Sequence, residues 1–175
     1  MTEKSDLTES MEDYLEAILA LERLHKVARA KDIADRLEVK RGTVTGALKS
    51  LAGKGLINYA PYSYITLTPE GTTIASEISR RHEVIRNFLT EVLRIPLETA
   101  ETTACRMEHV VEGMVLSRLV CFIDFIHQCP RAGNDLLRSF INFCESGKLK
   151  WNECETCIDD CKERFQVPKD GTGTK

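Results

Sequence analysis

The sequence predicts a mainly α-helical protein, with an N-terminal winged helix-turn-helix domain followed by an all-helical dimerisation domain. Three observations support this fold class. Apolar residues recur at helical spacing through most of the chain. Two short amphipathic segments within residues 30–51 are joined by a three-residue turn. Two short segments rich in β-branched and aromatic residues follow directly within residues 56–67, which predicts one small β-hairpin in an otherwise helical chain.

Composition excludes several classes of protein. The 175 residues are 42% hydrophobic and 29% charged, which is typical of a globular chain with one large or two small domains. No apolar run approaches the roughly 20 residues of a membrane span, and the acidic, polar start is unlike a secretory signal. We therefore expect a cytoplasmic protein without membrane partners. Seven cysteines in a reducing compartment indicate free thiols or metal ligands before disulfides.

Residues 7–24 predict the first helix, because their apolar side chains repeat at helical spacing and Thr8 or Ser10 is suited to its cap or first turn. Asp13 and Glu16, at positions i and i+3, lie on a shared helical face. They are candidate metal ligands. Paired carboxylates on a helix are usually just solvated, so ordinary solvent exposure is the alternative.

Residues 30–51 predict a helix-turn-helix. Ala30–Leu37 and Arg41–Leu51 each carry an apolar face, and Glu38, Val39 and Lys40 make the turn between them. The second helix exposes polar side chains suited to base edges and phosphates in the major groove of DNA. The candidate DNA-binding residues are Lys31, Lys40, Arg41, Gly42, Thr43, Thr45 and Lys49.

The charge distribution supports an anion-binding surface in this part of the chain. The net charge of −3 argues against a protein that coats nucleic acid by bulk charge. Residues 23–54, however, hold nine Lys/Arg and three Asp/Glu for a net +6, after seven acids and one base in residues 1–22 for a net −6. A solvated charged face is the alternative. Gly42 and Gly46 weaken the second helix by roughly 1 kcal/mol each relative to Ala, so close approach of the backbone to DNA is one reason for them and simple tolerance is another.

A β-hairpin and a long helix follow. Leu56–Tyr59 and Tyr64–Leu67 predict the two strands, and a helix-turn-helix followed by such a hairpin is a winged helix. Thr68 is suited to cap the next helix, which is predicted to run to about residue 94. That helix carries His82, close in sequence to several arginines.

Cys105, Glu108 and His109 predict a metal site. They lie in residues 97–113, the next predicted helix, and the spacings i, i+3 and i+4 place them on one helical face within one turn. Thiolate and imidazole suit borderline or soft ions and a carboxylate also suits Fe(II) and Mn(II), whereas Mg and Ca are disfavoured. The alternative is an ordinary amphipathic helix with a buried Cys and a solvent-facing Glu and His.

The C-terminal third changes character. Residues 114–127 predict a helix with an apolar side broad enough to pack on a second copy, which indicates a homodimer, or else a purely internal core. Asn134–Cys144 predicts a short amphipathic helix before a polar end. Candidates for a second site, binding Zn(II) or an iron–sulfur cluster, are Cys144, Cys154, Cys157 and Cys161. Reduced thiols on a partly ordered tail are the alternative.

Taken together, these features resemble the diphtheria toxin repressor and manganese transport regulator (DtxR/MntR) family of metal-dependent repressors, over about residues 7–127. The resemblance rests on Ser10–Glu16, the helix-turn-helix from Asp32 to Thr45, Leu67–Gly71, Arg81–Glu83 and the Cys-x-x-Glu-His motif at Cys105–His109. It implies one metal site built from Asp13, Glu16, His82, Cys105, Glu108 and His109.

The resemblance divides between two branches of the family. The iron-responsive branch is similar at Cys105 but has Met where Asp13 stands. The manganese branch is similar at Asp13, Glu16 and His82 but has Glu where Cys105 stands. Arg86 stands where the iron branch has an ancillary Glu, and Glu101 offers a neighbouring carboxylate. The implied cofactor is Fe(II) or Mn(II), and the thiol of Cys105 slightly favours Fe(II).

The sequence therefore predicts three parts: residues 1–71 as the winged DNA-binding domain, residues 72–128 as the helical dimerisation and metal-binding domain, and residues 129–175 as a cysteine-containing extension that is partly disordered. The predicted function is that of a homodimeric, Fe(II)- or Mn(II)-activated repressor of metal-homeostasis genes that binds a double-stranded DNA operator. A winged-helix regulator that senses redox state or an iron–sulfur cluster through its C-terminal cysteines is an alternative. A small metalloenzyme is disfavoured, because the sequence offers no pocket for a small organic substrate.

Overall fold

The computed structural model describes residues 7–60, 63–128 and 134–148, and it is mostly helical as predicted. The elements in chain order are α1 Glu9–His25, α2 Ala30–Arg36, α3 Arg41–Gly53, β1 Ile57–Asn58, β2 Thr66–Leu67, α4 Pro69–Asn87, a π-helical turn Phe88–Val92, α5 Leu97–Met107, α6 Gly113–Gln128 and α7 Asn134–Ser146. Among the helices described, none combines the length and the apolar character needed to cross a membrane.

Helix α1 begins where Thr8 caps it. The Thr8 hydroxyl accepts a hydrogen bond from the Met11 amide (3.4 Å), which satisfies one free amide of the first turn. The helix ends at Lys26, whose φ of 65° and amide bond to the Glu22 carbonyl (2.7 Å) close the last turn. Its inner face, which includes the completely buried Leu15, packs into the hydrophobic core of the winged helix.

The turn between α2 and α3 places one residue in the left-handed conformation. Glu38 adopts it, with φ of 55°, and the Val39 amide then bonds to the Ala34 carbonyl (3.0 Å). Completely buried side chains from α1, α2, α3 and the hairpin form the core around this turn: Leu15, Ile18, Ile33, Val44, Leu48, Leu51 and Ile65. The two helices of the predicted helix-turn-helix therefore share one core with α1 and the wing.

The hairpin is shorter than predicted. Only Ile57–Asn58 and Thr66–Leu67 pair, in an antiparallel ladder, where the sequence predicts strands of four residues. The next residue, Ile65, forms a bridge to Ala28, with backbone hydrogen bonds of 3.0 and 2.9 Å. Because both backbone groups of Ile65 are bonded to Ala28, they are not available to Tyr59, and the hairpin ladder stops. The same bridge ties the wing to the chain just before α2.

The start of α4 is held by Thr68 and Gly71. The Thr68 hydroxyl accepts from the Gly71 amide (3.1 Å), as expected of the predicted N-cap, and donates to the Gly55 carbonyl (2.8 Å). A Cβ atom on Gly71 would lie 2.0 Å from the Leu56 carbonyl oxygen. Only glycine therefore allows α4 to begin this close to the backbone of Leu56, just before β1.

The helix predicted to continue to about residue 94 changes its hydrogen bonding before it ends. Residues Phe88–Val92 are π-helical, and the Leu93 amide bonds to the Phe88 carbonyl five residues earlier (3.2 Å). Arg94 then takes a φ of 56° and turns the chain away.

The helix predicted for residues 97–113 ends six residues early, at Met107. The amides of Val110 and Val111 both bond to the Met107 carbonyl, at 3.1 and 3.0 Å, so an i to i+3 bond shares this carbonyl with an i to i+4 bond and the chain leaves the helix in a tight turn. No Gly or Pro lies within residues 107–111 to announce this end.

The described residues divide into two compact units. The first contains the chain up to Ile85 together with Thr102–Val111, and the second contains Arg86–Glu101 and the chain from Glu112 onward. The functional borders at residues 71 and 128 stay a prediction. In the structure, the segment Thr102–Val111 belongs with the N-terminal elements.

In the second unit, a small core lies beside a broad exposed apolar surface. Val92, Ile126 and Leu137 are buried, and the rings of Phe88 and Phe122 meet edge to face with their centroids 6.2 Å apart. The large apolar side chains that α6 and α7 expose are Met114, Val115, Phe122, Phe125, Leu136, Phe140 and Phe143. Exposed apolar surface of this extent is typical of a face that meets another chain.

A candidate metal centre and a candidate DNA-binding surface

All six predicted metal ligands lie in the first unit. Asp13 and Glu16 lie on α1, His82 on α4, Cys105 on α5, and Glu108 and His109 in the turn after α5. Their ligand atoms form two sets, one of Asp13, Cys105, Glu108 and His109 and one of Glu16, His82 and Glu108. Within each set, one ligand atom from every residue lies within 4.8 Å of the others, and Glu108 belongs to both. We call these six residues the metal cluster.

The predicted reason for this grouping needs a correction. Because α5 ends at Met107, only Cys105 of the three lies on the helix, and Glu108 and His109 lie in the turn that follows it. The turn directs Glu108 towards His82 of α4 and His109 towards Asp13 of α1. The cluster therefore arises from a turn that meets two other helices.

Glu108 is the one charged residue that is fully buried among the described residues, with 0% of its surface exposed. Its Oε2 atom lies 2.7 Å from His82 Nδ1, which is a short, charge-assisted contact when the imidazole is protonated. Its Oε1 atom has no hydrogen-bond partner, and His109 Nε2 is 3.6 Å away. An unpartnered carboxylate oxygen in a buried position is costly unless a cation or proton occupies the space beside it.

His109 lies between two consecutive carboxylates of α1. Its Nδ1 atom is 2.7 Å from Glu12 Oε2, and its Nε2 atom is 3.1 Å from Asp13 Oδ1. Burial by itself lowers the pKa of His109, but the hydrogen bond to Glu12 and the charges of Glu108 and Asp13 outweigh burial, so the pKa lies above its ordinary value. The sequence interpretation missed Glu12, although it immediately precedes Asp13.

Two further cluster residues, Glu16 and Cys105, also bind protons more tightly than usual. Burial, followed by the charge of Glu108, raises the pKa of Glu16, against the opposing effects of His82 and of the hydrogen bond that the Ser79 hydroxyl donates (3.2 Å). Partial desolvation and the neighbouring carboxylates, Glu108 first, raise the pKa of the Cys105 thiol. The metal-free cluster thus holds more negative charge than its surroundings stabilise.

The donor set fits a divalent transition ion. It combines a thiol, two imidazoles and three carboxylates, which are the ligand types of Fe(II), Mn(II) and Zn(II) sites and not those of the all-oxygen sites of Mg(II) or Ca(II). The unpartnered Glu108 oxygen marks where the additional positive charge is needed. Glu101, the further carboxylate considered in the sequence, lies in the second unit, where its Oε1 atom is 3.4 Å from the Arg86 guanidinium.

A concave surface of about 980 Å³ lies on the same unit, along α2, α3 and the wing. We call its lining the recognition surface; it consists of Arg29, Ala30, Lys31, Arg41, Thr45, Lys49, Tyr59, Ser63 and Tyr64. Four of the predicted DNA-binding residues belong to it: Lys31, Arg41, Thr45 and Lys49. Lys40, Gly42 and Thr43 are exposed at the start of α3, outside this lining.

Arg29 and Tyr64 belong to the recognition surface but were not predicted from the sequence. The Arg29 guanidinium lies 5.2 Å from the centre of the Tyr64 ring, and its Nη2 atom donates to the Tyr64 hydroxyl (3.3 Å). The two residues are 35 positions apart in sequence. The signals that could have identified them are the basic charge of residues 23–54 and the aromatic side chain in the hairpin.

The cysteine-rich tail is only partly described. Cys144 is a free, exposed thiol on α7, and it belongs to neither metal set found among the described residues. Cys154, Cys157 and Cys161, the other residues of the predicted second site, lie outside the described residues.

Two protein-family models match the chain in succession. Residues 6–65 match the N-terminal DNA-binding domain of the iron-dependent repressors, and residues 68–137 match their metal-binding and dimerisation domain. The chain is similar to the transcriptional regulator MntR of Salmonella typhimurium, with 40% identity over 114 residues, which are 65% of this chain and 72% of that protein.

Two other similar proteins are considerably longer. The diphtheria toxin repressor of Corynebacterium glutamicum is 33% identical over 125 residues, which are 71% of this chain but only 55% of the repressor. The solved structure of the manganese regulator SloR superposes with a TM-score of 0.61 at 28% identity, covering 73% of this chain and 59% of SloR. The chain thus spans little more than half the length of these two relatives.

Proposed function

The chain belongs to the iron-dependent repressor family of metal-dependent DNA-binding regulators, and on that premise we propose that it is a dimeric transcriptional repressor activated by Fe(II) or Mn(II). The observation that carries this proposal is the fully buried Glu108, which belongs to two sets of metal-ligating side chains and has one carboxylate oxygen without a hydrogen-bond partner. The proposed binding partner is an operator on double-stranded DNA, which the recognition surface would contact.

The chemistry of the cluster explains how a metal would act. Without an ion, the carboxylates of Asp13, Glu16 and Glu108 repel one another across short distances. A bound divalent cation supplies the positive charge that removes this repulsion. Asp13 and Glu16 then hold α1 to the turn after α5, and His82 holds α4 to the same turn.

The position of α1 is linked to the recognition surface. Helix α1 shares the hydrophobic core with α2 and α3, and the Glu22 carboxylate accepts a hydrogen bond from the Leu67 amide of the wing (3.0 Å). A cluster that orders α1 therefore favours one arrangement of the recognition helix and wing. An ion that binds this arrangement more tightly than others raises the affinity for DNA by the same free energy.

The identity and number of ions follow from the donor atoms. The Cys105 thiolate favours Fe(II) over Mn(II), whereas Asp13 in the same set provides a hard oxygen suited to either ion. Because Glu108 belongs to both sets, its two oxygens allow either one ion or two ions that share it. We propose Fe(II) as the preferred activator.

Dimerisation is assigned to the apolar surface of the second unit. Met114, Phe122 and Phe125 of α6 are 71%, 44% and 54% exposed. A two-fold dimer built on this surface would present two recognition helices to half-sites about one helical turn of DNA apart.

The test is anaerobic fluorescence anisotropy with DNA from upstream of the protein's own gene. Chelator-stripped protein is titrated separately with Fe(II), Mn(II) and Zn(II), and we expect Fe(II) or Mn(II) to tighten operator binding by about 5–150-fold. His109→Ala should abolish this response. His25→Ala is the matched control, because His25 is exposed at the end of α1, outside the metal cluster. Operator binding that is indifferent to metal, or a His109→Ala variant that still responds, would contradict the proposal.

A further inference from the structure

We infer that Glu12 is a positioning residue for the metal centre, holding the His109 imidazole so that its Nε2 atom faces the cluster. The inference rests on the proposed function, since it assigns a role within the same metal site. The geometry that carries it is the short contact between Glu12 Oε2 and His109 Nδ1, at 2.7 Å.

The two carboxylates that flank His109 have different positions relative to the cluster. Asp13 lies on the Nε2 side (3.1 Å) and belongs to the set with Cys105 and Glu108. Glu12 lies on the Nδ1 side of the ring and belongs to neither set. Glu12 thus contacts His109, a proposed metal ligand, but is not itself a member of the metal cluster.

This arrangement selects one tautomer of the imidazole. An ionised carboxylate only accepts hydrogen bonds, so Glu12 holds a proton on Nδ1. In the neutral imidazole the lone pair is then on Nε2, the nitrogen beside Asp13 and Glu108. A carboxylate in this place also makes the ring a stronger donor to a metal.

Burial makes the contact specific. The His109 side chain is 6% exposed and the Glu12 side chain 17% exposed, so little water competes for Nδ1. His82 differs, because the carboxylate at its Nδ1 atom is Glu108, a member of the cluster itself. The orienting carboxylate of His109, in contrast, comes from outside the cluster.

The chain has only four histidines, so the imidazole of His109 can be observed individually by nuclear magnetic resonance. Protein with ¹⁵N-labelled histidine is loaded with Zn(II), used as a diamagnetic probe, and the His109 signals are identified by their loss in His109→Gln. We expect a slowly exchanging Nδ1–H proton at His109 in the wild type. Zn(II) and Mn(II) affinities are measured in parallel by competition with a chelator.

Glu12→Ala should expose the Nδ1–H proton to solvent exchange and weaken metal affinity by about 10–100-fold. Glu12→Gln keeps a hydrogen-bond acceptor without the charge, so it should retain the protected proton and lose less affinity than Glu12→Ala. Glu9→Ala, an exposed carboxylate on the same helix, should bind metal as the wild type does. Thermal unfolding of each metal-free variant establishes that it is folded.

Three outcomes would overturn the inference, and they separate it from the proposed function. If Zn(II) leaves the wild-type His109 signals unchanged, the proposed metal site fails and the inference fails with it. If the wild type binds but Glu12→Ala keeps both the protected proton and its affinity, only the role of Glu12 fails. If Glu12→Gln loses as much affinity as Glu12→Ala while its Nδ1–H proton stays protected, the charge of Glu12 and not its hold on the ring decides the affinity, and the positioning role fails.

Discussion

The metal cluster takes its side chains from three separate stretches of the chain, at residues 13–16, 82 and 105–109, whereas most of the recognition surface comes from the continuous stretch 29–49. The cluster is acidic and centred on a completely buried Glu108. The recognition surface is basic, and its arginines and lysines are exposed. Both belong to the same compact unit.

The two sites should respond to different solution conditions. Charges buried at short distances interact strongly with one another, and their protonation and any bound cation decide the balance. Exposed cations interact weakly with one another and are screened by salt. We therefore expect the cluster to respond to metal and pH, and the recognition surface to respond to salt concentration and DNA.

The largest expected effect is that of Glu108→Gln, because this carboxylate belongs to both ligand sets. The substitution keeps the shape of the side chain and removes its charge. Loss of a residue that only orients a metal ligand typically lowers metal affinity by roughly 10–100-fold, and Glu108→Gln should lower it further. Metal should then no longer tighten operator binding by the protein. Chelator competition and anisotropy measure the two effects. Glu112→Gln, which alters an exposed carboxylate four residues later, is the control. Unchanged metal affinity in Glu108→Gln would show that the buried cluster does not bind the metal.

The pH dependence of stability should distinguish the two regions next. The pKa values of Glu16 and His109 are raised in the folded state, so the folded protein holds more protons than the unfolded chain between the ordinary and the raised values. The free energy of unfolding of the metal-free protein should therefore fall as pH rises, from above about 4.3 for Glu16 and from above about 6.5 for His109.

Metal should reverse this trend, because the same ligands must lose their protons to bind it. The difference in melting temperature between metal-loaded and metal-free protein should widen between about pH 6 and pH 8. Thermal unfolding followed by circular dichroism tests both statements. Lys49→Ala, on the recognition surface, should leave both pH profiles in place; a metal-free protein that becomes more stable as pH rises would contradict the assigned pKa directions.

A smaller effect is expected for Lys49→Ala on DNA binding. Removing one exposed cation of the recognition surface should weaken operator binding and reduce the slope of log affinity against log salt by about 1. Metal affinity should not change. Arg23→Ala, an exposed cation at the end of α1 outside this surface, is the control. If both variants change the salt slope equally, the concave surface has no special part in DNA binding.

The smallest effect should be that of Gly46→Ala, within α3. A Cβ atom at Gly46 meets nothing within 4 Å, so the substitution should stabilise the helix by up to about 1 kcal/mol. If the backbone approaches DNA closely here, operator affinity should fall although stability rises. Urea unfolding and anisotropy measure the two quantities. Gly53→Ala, equally unobstructed at the end of α3, should leave operator affinity unchanged, and the same result for Gly46→Ala would favour simple tolerance of glycine.

Local signals predicted most of the fold. Helical spacing located the seven α-helices seen in the described part of the chain, and Thr68 caps α4 as its sequence position indicated. The predictions differed from the structure at the ends of elements. The hairpin is shortened by the bridge from Ile65 to Ala28, and α5 ends through bonds to the Met107 carbonyl with no glycine or proline to announce it.

Sequence patterns were enough to predict the fold class, the basic stretch that supplies most of the recognition surface, and the residue types of the proposed transition-metal site. These properties depend on periodicity, charge and side-chain chemistry, which are local. Only the tertiary structure decided that α1 and α4 meet the turn after α5, that Glu108 is shared and left with an unpartnered oxygen, and that Glu12 lies against His109. Contacts between residues up to 97 positions apart depend on how helices pack around a common core, and no spacing along the chain records that packing.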